Sequence, residues 1–77
     1  MIGQRQFDCA VHIRYLEQAE RHVAQAERHT ADQEERVLHL ARAGHSVASA
    51  RKLLDNFCAS QALLIQHRDQ IRAELEQ

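Results

Sequence analysis

The chain has 77 residues, no proline, two glycines and two cysteines, and its ten basic and eleven acidic residues leave a net charge of −1. This length allows one domain, the even mix of charges offers no basic platform for releasing counterions from phosphates, and two cysteines do not make a disulfide framework. A chain this short buries a modest share of its surface, so its core calls for reinforcement by disulfides, metal or oligomerisation.

The first residues, Met1-Ile2-Gly3-Gln4-Arg5, contain no apolar leader. The longest uncharged stretch, Asn56 to Gln66, is too short to span a bilayer. A cytoplasmic protein with no membrane partner is expected. The composition is rich in Ala, Gln, Glu, Arg and Leu, all good helix formers, and predicts an all-α fold.

Helix one is predicted at about 7–43. Its apolar stripe runs Cys9, His12, Leu16, Ala19, Val23, Ala26, Thr30, Gln33, Val37, Leu40, in alternating steps of three and four. Asp32 with Glu35 is a candidate capping box, but the stripe passes through it unbroken. A heptad echo lies within this helix: Ala19-Glu20-Arg21-His22-Val23-Ala24 returns as Ala26-Glu27-Arg28-His29-Thr30-Ala31. A turn over 44–46 follows. Gly44 suits the left-handed residue that ends a helix, and Ser46 is placed to cap the next one. Helix two is predicted at about 47–76, with the stripe Val47, Ala50, Leu54, Phe57, Gln61, Leu64, Arg68, Ile71, Leu75.

So short a turn folds the two helices into one antiparallel, coiled-coil-like hairpin over 1–77. Facing residues then have numbers summing to roughly 87–91, as in Val23 with Leu64 and Thr30 with Phe57. Small residues of helix one (Ala19, Ala26, Thr30) meet larger ones of helix two. Cys9 falls roughly 30 Å from Cys58, at about 1.5 Å per residue, far beyond disulfide reach. Both thiols are expected to be reduced and packed as small apolar groups.

The apolar arc of helix two is wider than one partner helix covers, because Leu53 lies on one flank of the stripe and Cys58 and Ile65 on the other. Ile13, Leu38 and Ala41 widen helix one. The expectation is a homodimer, two hairpins forming a four-helix bundle, with Leu53, Phe57, Cys58, Leu64, Ile65 and Ile71 as the self-associating residues. The polar stripe members Thr30, Gln33, Gln61 and Arg68 read as register control. Arg68 is expected to run along the seam to Glu20 or to a carboxylate of another copy.

Six histidines are the chemistry-bearing residues that stand out. His22, His29 and His67 lie on matching flanks and are the candidate ligands if a metal binds. Neither the Glu-x-x-His pattern of a di-metal bundle nor His-Glu-x-x-His is present, so no metal or other cofactor is called for. Like charges gathered at a helix interface predict that assembly weakens between about pH 7 and pH 5. The serines and cysteines have no base at a readable spacing, and Phe7, Tyr15 and Phe57 are too few to stack bases. The reading is a non-enzymatic interaction or structural module that associates with itself and offers a groove to another helical protein. A histidine-based metal or pH sensor is the alternative, and a nucleic-acid-associated regulator the weaker one.

The segments Ala19-Glu20-Arg21-His22-Val23-Ala24, Ala41-Arg42-Ala43-Gly44-His45, Lys52-Leu53-Leu54-Asp55-Asn56-Phe57 and His67-Arg68-Asp69-Gln70-Ile71-Arg72-Ala73-Glu74-Leu75 resemble short bacterial helical proteins of uncharacterised function. The resemblance covers most of the chain, with His22, Gly44, Phe57 and His67-Arg68-Asp69 as matching positions and Cys58 and Thr30 as departures. It implies a bacterial origin and no activity.

Overall fold

Without proline, and with one glycine between two long runs of helix formers, the chain has a single place to stop being helical. The computed structural model, which describes the backbone of residues 2–76 and the side chains of residues 10–76, shows that outcome. Helix α1 spans Ile2–Arg42 and helix α2 spans Ala48–Leu75. Helix α1 passes through Asp32 and Glu35 without a break. Its start at Ile2 lies five residues before the expected position, because Gly3 alone does not interrupt it.

Gly44 has φ of 76°, the only positive φ among the described residues. Its N–H donates to the Ala41 carbonyl at 3.1 Å, and the His45 N–H donates to the Leu40 carbonyl at 3.0 Å. These two bonds form a Schellman motif, which satisfies carbonyls left free at the helix end. The expected cap at the start of α2 is not formed by Ser46. Val47 takes the N-cap position and no side chain bonds there. Helix α2 therefore begins one residue later than expected, with no side chain capping its first N–H groups.

The hairpin measures 63 × 15 × 14 Å. Three contacts tie the helices together antiparallel. The His12 imidazole lies 3.2 Å from the Glu74 carboxylate. The His29 and Phe57 rings are 6.2 Å apart. Gln33 Nε2 donates to the Ala50 carbonyl at 2.9 Å. The first two pairs have numbers summing to 86 and the third to 83, just below the expected 87–91. Long side chains such as Gln33 and Glu74 span that difference along the seam.

Burial is unequal between the helices. On α1 the stripe residues Ala19, Val23, Thr30, Gln33 and Val37 are buried, Val23 at 2% exposure. On α2 only Ile71 is buried, while Leu54, Phe57, Leu64 and Leu75 remain half-exposed. The sizes of the side chains explain this. Small and β-branched residues of α1 let the helices approach and are covered completely, whereas larger residues of α2 overhang the narrow contact. The two buried polar groups of α1 are satisfied: Thr30 Oγ1 donates to the Ala26 carbonyl at 2.9 Å, and Gln33 bonds across the seam.

Candidate interaction face

A residue just before an a-type stripe position and one just after a d-type position lie on opposite sides of a helix. In the hairpin this rule separates the chain into two long sides. One side carries Tyr15, His22, His29 and Arg36 from α1 and Leu53, Ser60, His67 and Glu74 from α2. All eight line a series of shallow grooves along the seam. His12, Tyr15, His22, His67 and Glu74 line the end far from the turn. His22, Gln25, His29, Phe57, Ser60 and Leu64 line the middle. Toward the turn, Arg36 and Gln33 share their groove with Leu53 and Ala50. Shared members make the grooves continuous: His22 joins the far end to the middle, His29 and Phe57 join the middle to a stretch that also holds Asp32, Glu35, Leu38, His39 and Arg42, and Gln33 and Arg36 join that stretch to the turn.

The other side carries Ile13, Glu20, Glu27, Glu34 and Ala41 from α1 and Arg51, Cys58, Ile65 and Arg72 from α2. None of these residues lines the four grooves. The six residues expected to mediate self-association are therefore divided. Ile71 is buried in the seam, and Phe57 and Leu64 sit half-covered beside it. Leu53 is exposed on the grooved side, whereas Cys58 and Ile65 lie on the opposite side. The expected packing of Cys58 as a small apolar group is not seen, since its free thiol is exposed within the hairpin. Cys9 lies outside the described side chains.

The histidines segregate with the groove. His22 and His67 line the same stretch, as the register predicts, while His29 lies in the next stretch toward the turn beside Phe57. Among the described residues no three His, Cys, Asp or Glu side chains gather so as to hold a metal ion. Thus the trio His22, His29 and His67 is spread along the groove and does not converge.

Arg68 corrects another expectation. Its Nη2 and Nε both lie 3.0 Å from Oδ1 of Asp69, the next residue on its own helix. The adjacent carboxylate is reached without extending along the seam, so Glu20 is not its partner. Gln61 differs from the other stripe amide: its Oε1 is buried and has no hydrogen-bond partner. Among the described residues no helix is long and apolar enough to cross a membrane.

No protein family, curated protein or solved structure matches this chain in comparison. The division into a grooved, histidine-bearing side and a charged side was legible in the heptad offsets, since His22 and His29 each immediately precede a stripe residue.

Proposed function

We propose that this chain is a non-enzymatic helical interaction module that acts as a homodimer, two hairpins completing a four-helix bundle. The observation that carries this reading is the unequal burial of the two stripes. Leu54, Phe57 and Leu64 of α2 stay half-exposed in a hairpin whose α1 stripe is buried at Ala19, Val23, Thr30, Gln33 and Val37. One more helical layer buries them, at about 25 cal/mol per Å² of apolar surface removed from water. The exposed apolar residues Tyr15, Leu53 and Leu63 support the same reading. A cytoplasmic location accords with it, because an exposed free thiol such as Cys58 suits a reducing compartment.

The test is the mass in solution. Light scattering at micromolar concentration is expected to give twice the chain mass of 8.9 kDa. A mass of one chain at every concentration refutes the reading. Leu64→Asp, which places a charge beside the seam, is expected to abolish both dimer and helicity.

A further inference from the structure

The hairpin has two long sides, and its surface distinguishes them. The chain exposes 6331 Å², whereas a compact monomer of 8.9 kDa exposes about 4,800 Å². The surplus of about 1,500 Å² exceeds the roughly 800 Å² that one partner contributes to a standard stable interface. The surplus is therefore large enough to supply one side of a contact with a like chain.

Charge selects the side. Among the described residues, the two rows bordering the groove hold Arg36 and Glu74 as their only charges apart from imidazoles, and Asp32, Glu35 and Arg42 join the lining in the stretch near the turn. The rows on the opposite side hold Glu20, Glu27, Glu34, Arg51 and Arg72, all exposed. Interface cores are poor in charge and rich in aromatic residues, and the grooved side has Tyr15 exposed and Phe57 half-exposed in the groove.

We propose that the grooved side is covered by a second copy of this chain, lying antiparallel about a two-fold axis that crosses α1 near Gln25, so that His22 meets the partner's His29. This inference rests on the self-association proposed above and specifies its face and register. Gln25 and Ser60 line the same central stretch of groove, so an axis there lets the partner cover the length over which α1 and α2 overlap. The heptad echo places His22 and His29 at nearly equal distances on either side of that axis. The same operation sets Arg36 over the partner's Tyr15, a cation–π pairing. It sets Asp32 beside the partner's Gln18, whose amide donates to a carboxylate. Glu74 falls near the partner's Ser46 and Ser49. Apart from the imidazoles, no like charges meet, which an isologous contact requires of a charged residue near its axis.

The test uses the full chain with Cys9→Ser and Cys58→Ser, so that no native thiol remains. Gln25→Cys is expected to form a covalent dimer on mild oxidation, while Glu27→Cys, on the opposite side, stays uncross-linked. Ser60→Arg, at an exposed position in the groove, is expected to lower the mass from dimer to monomer with helicity retained by circular dichroism. Ala24→Arg, away from the groove, is expected to leave the dimer intact. A dimer that Ala24→Arg dissociates, or that cross-links through Glu27→Cys, overturns the inference but leaves self-association standing. A dimer that Ser60→Arg dissociates yet Gln25→Cys does not cross-link overturns the antiparallel register. A monomer at all concentrations overturns both proposals.

Discussion

Gln33 on α1 donates its side-chain amide to the backbone carbonyl of Ala50 on α2, at 2.9 Å, from a position only 7% exposed. The acceptor lies in the first turn of α2, just past the loop, so this bond helps set how the second helix leaves the turn. The Ala50 carbonyl also accepts the helical N–H four residues on, and so keeps a partner if Gln33 is removed.

The consequence is asymmetric. Gln33→Ala is expected to cost about 1–2 kcal/mol, from the lost hydrogen bond and the space left behind. Gln33→Leu, which fills the space and orphans no carbonyl, is expected to stay within about 1 kcal/mol of the parent. Thermal melts followed by circular dichroism check both, and equal losses from the two variants refute the argument.

Gln61 is the converse case, because its buried Oε1 has no partner. Replacing it with Leu removes an unsatisfied acceptor and adds apolar surface at a seam position. Gln61→Leu is expected to raise stability by about 1 kcal/mol. Urea denaturation measures this, and a lowered midpoint contradicts it.

At Gly44 the cost of a side chain is backbone strain alone. An added Cβ meets nothing within 4 Å, yet φ of 76° is a conformation that L residues resist. Gly44→Ala is expected to destabilise by about 1–2 kcal/mol, Gly44→Val by more, and Gly44→Asn by less than either, since Asn tolerates the left-handed region. The order of the three melting temperatures is the readout.

Val23, at 2% exposure, and Leu63, at 67%, separate packing from composition. Val23→Ala is expected to cost about 1.5–3 kcal/mol, from the apolar groups removed and the cavity left. Leu63→Ala is expected to change the stability of the isolated hairpin by no more than about 0.5 kcal/mol. Chemical denaturation of both variants in the Ser60→Arg background, which keeps the hairpin a monomer, tests the pair.

Local rules carried a large part of this architecture. The unbroken three-four spacing, the absence of proline and the position of Gly44 determined two helices, their antiparallel course and the left-handed turn between them, because helix propensity and glycine's freedom at positive φ act within a few residues. Tertiary structure decided the rest. Ser46 has the chemistry of a cap, but the way the chain leaves Gly44 puts Val47 in that place. Arg68 has the length to reach Glu20, but Asp69 lies closer. The small residues of one stripe and the larger ones of the other were legible, yet which of them are buried, five on α1 and Ile71 alone on α2 among the described residues, depends on side chains brought together from opposite ends of the chain. The heptad offsets put His22, His29 and His67 on matching flanks, but only the pairing of the two helices joins those flanks into one groove, because the residues that line it come from opposite ends of the chain.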